Sequence, residues 1–243
     1  MSIANRKDEI FREASQPIEK FAFNEETASV FEDMLERSVP FYHEMQRMLV
    51  ELTSDFAVDE TAVYDVGCST GATLSALDGI AQDVTLIGID SSPAMLARAE
   101  TSLKGTLRHR SELRLGDLNQ SLRIENASVV VMSLTLQFVR PLQRERVLRE
   151  ICDGIRRDGC LLLIEKIVAD DSTLNRLYIQ HYYEFKQRNG YSEMEIARKR
   201  EALENVLIPY RTDENDAMLR QAGFRAVDMF FKWYNFCGLI ARK

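Results

Sequence analysis

Cysteine, histidine and proline are scarce in this chain, and their scarcity excludes several kinds of protein. The four cysteines (Cys68, Cys152, Cys160 and Cys237) form no C-x-x-C pair and have no histidine pattern nearby. That argues against a metal site or a disulfide scaffold and favours a reducing compartment, the cytoplasm. No apolar run approaches the roughly 20 residues of a membrane span. The N-terminus, Met-Ser-Ile-Ala-Asn-Arg-Lys-Asp-Glu, lacks the apolar stretch of a secretory signal. No membrane role is therefore expected. The formal net charge is -7, whereas an autonomous nucleic-acid binder usually carries a basic face. No direct nucleic-acid partner is expected either. Repeats, low-complexity tracts and Pro/Gly/Ser linkers are also missing. His43, His109 and His181 have no catalytic partner pattern and receive no role.

What is present is an ordinary core. With 243 residues, 45% of them hydrophobic, the chain can bury one domain. Residues 1–20 read as a flexible arm, and 21–243 as a single α/β domain. Two N-terminal helices are expected, from Asn24 to Glu36 and from about Val39 to Thr53. Strands are expected at Ala62–Val66, Val84–Ile89, Ser111–Leu115, Ser128–Met132 and Cys160–Ile167. A helix over Arg140–Arg156 carries Leu142, Val147, Leu148, Ile151 and Ile155 at helical spacing. This alternation implies a mostly parallel sheet covered on both faces. After the fifth strand the rhythm changes. Ser172–Arg188 and Ser192–Val206 read as a helical insertion, about 170–208, broken at Gly190. Ser192 with Glu195 spells a capping box. A helix over Asp213–Ala222 and two antiparallel strands, Ala226–Trp233 and Phe236–Arg242, close the pattern.

The most informative stretch is Val63-Tyr-Asp-Val-Gly-Cys-Ser-Thr-Gly-Ala72. An apolar strand runs into a turn where Gly67 and Gly71 let the backbone bend and approach a ligand. Such a turn after a first strand marks the ligand crevice of an open α/β sheet. It lacks the Gly-Lys-Ser/Thr end of a P-loop and the G-x-G-x-x-G spacing. It resembles motif I of Rossmann-like S-adenosyl-L-methionine (SAM) enzymes. Asp90 ends the second strand 23 residues past Gly67, near the interval at which an acid meets a ribose diol. Ser91, Ser92 and Pro93 suit the start of the next helix, and Asp90 could instead serve only that cap. Asp117-Leu118, after the third strand, could offer an acceptor and an N–H to an adenine edge. Cys68 reads as a small turn residue.

The remaining motifs give a narrower resemblance. They are Phe31-Glu-Asp-Met34, Arg37-Ser-Val-Pro40 with Tyr42, Ile89-Asp-Ser-Ser-Pro-Ala-Met95 and Thr135-Leu-Gln-Phe138. Glu165-Lys166, Phe185-Lys-Gln-Arg-Asn-Gly-Tyr-Ser-Glu-Met-Glu-Ile196, Lys199-Arg200 and Leu203-Glu-Asn-Val206 complete the set. From about residue 20 onward the chain resembles the carboxy-S-adenosyl-L-methionine synthase family. The resemblance implies a SAM-dependent methyltransferase fold with a seven-stranded sheet. It implies SAM and carboxy-SAM as ligands, and no metal. Tyr42, Gly67, Ser69, Asp90, Ser91, Asp117, Leu118 and Arg200 match family positions that hold carboxy-SAM, with Cys68 beside them in the turn. Arg200, with Tyr42, would serve the transferred carboxylate, which a guanidinium can grip bidentately. Where the family usually carries asparagine after the fourth strand, this chain has Ser133.

The reaction so implied is carboxyl transfer from prephenate to SAM, releasing phenylpyruvate and water. Its product feeds a tRNA carboxymethyltransferase that completes 5-oxyacetyl modification of the wobble uridine. The insertion helices add apolar and aromatic surface that a minimal SAM domain does not need, so a homodimer with the insertion near its interface is expected. Two other readings stay open: a small-molecule SAM methyltransferase, and a SAM-binding adaptor without turnover. Without the resemblance, Arg198-Lys-Arg200 is a solvated helix face, Tyr42 a packing residue, and the Tyr178, Tyr182, Tyr183, Phe185 cluster core or interface.

Overall fold

The computed structural model describes residues 6–13 and 17–243. Five parallel strands form its centre: β1 (Thr61–Val66), β2 (Val84–Asp90), β3 (Arg110–Leu115), β4 (Ala127–Ser133) and β5 (Ile155–Val168). β7 (Ala226–Trp233) and β8 (Phe236–Arg242) add an antiparallel pair. The order across the sheet is β3-β2-β1-β4-β5-β8-β7, so the strand order reverses beside β1. β6 (Tyr210–Arg211) is an unanticipated two-residue ladder on the end of β5.

Buried strand residues alternate between two cores, as a period of two requires. Tyr64, Val66, Val130, Met132, Leu161 and Leu163 face one layer, with α5 (Pro141–Gly154) and α8 (Thr212–Gln221) over it. Val63, Val129, Val131, Leu162 and Ile164 face the other. There α2 (Tyr42–Phe56), α3 (Ala72–Leu77) and α4 (Pro93–Leu103) supply Met45, Leu49, Leu74, Leu77 and Leu103. α1 (Glu25–Ser38) lies outside this layer, with Val30, Phe31 and Met34 packed around Met95 of α4. This is a doubly wound sheet, as the pattern of strands and helices predicts.

Three boundaries differ from the sequence reading. α2 begins at Tyr42, not Val39, because Val39 precedes a proline and stays extended, and Phe41 is left-handed at φ 55. α5 stops at Gly154, and β5 pairs first through Ile155. Polar residues 156–158 then swing out before the ladder resumes at Cys160. The second insertion helix, α7 (Glu193–Ala202), ends before Val206, whereas α6 (Ser172–Arg188) matches its predicted span. The Ser192–Glu195 capping box is present, a feature worth about 1 kcal/mol.

The free arm expected over residues 1–20 needs a correction where it is described; residues 1–5 and 14–16 lie outside the described residues. Asp8 is 1% exposed. It accepts a hydrogen bond from the Tyr191 hydroxyl and pairs with Lys199 Nζ at 3.3 Å. Its N–H donates to Asp33, and Arg37 donates to its carbonyl. A carboxylate with an ammonium partner from α7 anchors this segment, which no local pattern could announce.

Among the described residues, no helix is long and apolar enough to cross a membrane. All four cysteines are free and buried.

Candidate active site

The carboxyl ends of β1, β2, β4 and β5 open onto one cavity of about 880 Å³. All ten residues singled out from sequence line it: Tyr42, Gly67, Cys68, Ser69, Asp90, Ser91, Asp117, Leu118, Ser133 and Arg200.

Its first half is built around the glycine turn. Gly67 has φ 83, and a Cβ there would lie 2.3 Å from Thr135 Oγ1. The N–H groups of Gly67 and Cys68 both donate to the Ile89 carbonyl, which ties the turn to β2. Gly71, at φ 84, starts α3. Ser69 holds φ 48, an uncommon conformation for a residue with a side chain. The Cys68 side chain packs into the apolar layer, and burial pushes its thiol pKa far above the ordinary range.

Asp90 does two jobs at the end of β2. Its Oδ1 accepts from Ser92 N–H at 2.8 Å and its Oδ2 from Ser69 N–H at 2.9 Å. Ser92, not Asp90, is the side-chain cap of α4, and Pro93 opens that helix. A carboxylate offers about four lone-pair sites, so acceptor capacity remains for a diol. Burial raises the Asp90 pKa despite backbone bonds from Ser92, Ser69 and Ser91. Asp117 stands exposed at the mouth, with Oδ1 accepting from both nitrogens of Asn119, and buried Leu118 lies behind it.

Below these, Asp65 is 1% exposed, and its Oδ2 has no hydrogen-bond partner. Burial, and then Asp90, push its pKa up to about 8. Tyr42, first residue of α2, has its phenol pKa raised by burial and then by Asp65.

The second half of the cavity belongs to β4, β5 and the insertion. Ser133 ends β4, and Leu134 turns the chain at φ 58. Beneath that turn Glu165 accepts from Leu136 N–H, and the Gln137 side chain accepts from Lys166 N–H. Fully buried Arg144 donates to the carbonyls of Gln137, Val139 and Ile208. Burial lifts the Glu165 pKa to about 8, with Arg144 opposing. The Thr135–Phe138 and Glu165–Lys166 motifs therefore position the floor, and Glu165 itself does not line the cavity.

Four cations line this half: Lys166, Lys186, Lys199 and Arg200. Lys166 and Lys186 each place Nζ 4.7 Å from the ring centre of Tyr182. Lys199 is held by Asp8 and lies near Ser38. Arg200, in the last turn of α7, is exposed at the rim. Sequence reasoning missed Lys186 and gave no role to Lys166 or Asp65. Each belonged to a quoted motif, but only the fold shows what it faces. None of the three histidines lines the cavity. Among the described residues, no group of His, Cys, Asp and Glu could hold a metal.

An acid at a strand end, a turn without room for a Cβ, and an opposite wall rich in cations suit a nucleoside with a reactive tail. The fold and cavity define a SAM-dependent methyltransferase-like protein. A methyltransferase domain family matches residues 63–159. An O-methyltransferase family protein from Burkholderia thailandensis superposes with TM-score 0.67 at 17% identity, over 94% of this chain and 65% of that one. The carboxy-S-adenosyl-L-methionine synthase of Methylococcus capsulatus is 53% identical over 98% of this chain and 99% of its own. That of Nautilia profundicola is 42% identical over 98% and 100%. The chain belongs to the carboxy-S-adenosyl-L-methionine synthase family of enzymes.

Proposed function

We propose that this protein transfers a carboxyl group from prephenate to the methyl carbon of SAM, making carboxy-SAM. The observation that carries this reading is the division of the cavity by charge. Asp90 and Asp117 line the side of β2 and β3. Lys166, Lys186, Lys199 and Arg200 lie on the side of β5 and the insertion, where the exposed Glu201 and Glu204 also border the cavity. SAM is a cationic sulfonium, and prephenate is a dianion.

In this reading Asp90 holds the ribose diol, and Asp117 with the Leu118 N–H meets the adenine. Gly67, Cys68 and Ser69 give the backbone room for the methionine tail. Asp65, buried beneath the turn with an Oδ2 that lacks a partner, lies below that tail. Ser133 and Tyr42 border the methyl, and Arg200 pairs with the new carboxylate.

The atoms balance without a protein base. The departing prephenate hydroxyl takes one methyl proton and leaves as water. The ring carboxylate is lost as carbon dioxide while the ring aromatises to phenylpyruvate. The methyl carbon, having given up its proton, bonds to that carbon dioxide. The protein's task is to hold both reactants, exclude water and steady the anions. None of the three histidines lines the cavity, and the Cys68 thiol at its wall packs into the apolar layer, which accords with this.

The product would pass to a tRNA carboxymethyltransferase in the cytoplasm, for the wobble uridine. A homodimer through the insertion is part of the reading, supported by Leu174 and Leu177 of α6, 45% and 43% exposed. Mass analysis of the nucleotide retained on purification is the test, together with prephenate-dependent release of phenylpyruvate. Carboxy-SAM with turnover is expected. SAM alone with methyl transfer to an acceptor would replace this reading by a methyltransferase, and SAM without turnover by an adaptor. Light scattering tests the dimer, and a monomer at micromolar concentration with full activity would remove it.

A further inference from the structure

Lys166 and Lys186 are the cavity's unexplained cations. Lys186 is 6% exposed on α6, and Lys166 is half-buried near the end of β5. Their ammonium groups contact the ring of Tyr182 at equal distances of 4.7 Å. Phe236 meets the same ring edge-on at 5.3 Å and fixes it. Lys199, by contrast, has Asp8. Among the described residues, neither Lys166 nor Lys186 pairs with a carboxylate, although both line the cavity. Two neighbouring ammonium groups withdrawn from water without a counter-ion are costly. An aromatic face offsets only part of that cost. Burial lowers the pKa of both lysines, and for Lys186 the charges of Lys199 and Lys166 lower it further, with Asp8 opposing.

The cavity also has room to spare. At about 880 Å³ it lies near the top of the roughly 300–1,000 Å³ range of small-molecule pockets. The nucleoside residues occupy one end, and the lysine pair is at the other.

We infer that Lys166 and Lys186, both held against the Tyr182 ring, form a second anion subsite, and that it takes the carboxylate the second substrate keeps. This rests on the reading above for the substrate's chemistry, an aromatic α-keto carboxylate after transfer. Arg200 then takes the carboxylate that moves, and the lysine pair takes the one that stays. Two lysine point charges suit a carboxylate delivered end-on.

The test is calorimetry of phenylpyruvate on the SAM-saturated protein, with malonate as a simple dicarboxylate probe. Wild type is compared with Lys186→Met and, as the more exposed site, Lys166→Met. Each variant should weaken phenylpyruvate binding by about tenfold or more, with SAM affinity unchanged. Equal phenylpyruvate affinity in wild type and both variants overturns the subsite. So does wild type that binds neither carboxylate at about 10 mM. Turnover separates this result from the parent reading. If wild type forms no phenylpyruvate from prephenate but binds carboxylates in a lysine-dependent way, the donor is wrong and the subsite stands. If both variants turn over prephenate with normal KM, the donor stands and the subsite falls.

Discussion

The two ends of the cavity are made differently. The glycine-turn end is built from backbone: two left-handed glycines, N–H groups on Ile89 O, and one carboxylate locked by two amides. Its geometry follows from about fifty-five consecutive residues, and related enzymes can share it without sharing chemistry. The insertion end is built from side chains on β5, α6 and α7, and α7 is pinned by Asp8 from the far N-terminal segment. The comparison teaches that the first end is set by local sequence, while the second depends on contacts between distant segments.

The largest effect expected from breaking that contrast lies at Asp8. Asp8→Ala leaves Lys199 buried beside no carboxylate, and removing one partner of a buried pair costs about 3–5 kcal/mol. Denaturant melts should show this loss. If stability is unchanged, Asp8 does not anchor the insertion end.

Next comes Asp65, which tests the other end. Its folded pKa, about 8, is above the unfolded value of about 4. The folded state then binds more protons than the unfolded one between these values, so its stability falls as pH rises from about 4 to 8. Asp65→Asn should remove that slope and leave the variant more stable than wild type at the alkaline end. Parallel stability curves for both proteins would show that Asp65 is not a buried, strained acid.

Asp90→Ala follows. It removes a charged acceptor worth about 1.5–3 kcal/mol and should weaken SAM and carboxy-SAM equally, by tenfold or more. An unchanged affinity measured by calorimetry would defeat the diol assignment. Arg200→Leu should be the mildest, since Arg200 is exposed and water screens its charge. A loss of about 1–2 kcal/mol, roughly five- to thirty-fold, is expected for carboxy-SAM alone. An unchanged ratio of the two dissociation constants would make Arg200 an ordinary solvated residue.

These contrasts also explain what the sequence could reveal. Gly67, Asp90 and the Ser192–Glu195 box are local signals, each complete within a few residues, and each is found where the pattern puts it. The strands are legible because hydrophobic periodicity is local too. Asp8 and Lys199 are 191 residues apart, and no spacing rule joins them. Lys166 and Lys186 each read as an ordinary charged residue until the fold turns both toward Tyr182. Arg144 looks like a surface helix arginine, yet it is 1% exposed beneath the Gln137 turn. β6 is too short to leave a pattern.

The placement of β8 has a consequence for the order of assembly. β8 sits between β5 and β7, and Cys160 of β5 faces Arg242. During synthesis the ribosome releases β5 long before this neighbour exists. An unpaired strand edge invites wrong partners, and intermediates that expose such edges are aggregation-prone. The nascent chain can thus complete its glycine-turn end early, while Phe236, the β8 residue on the cavity wall, arrives only near the end of translation.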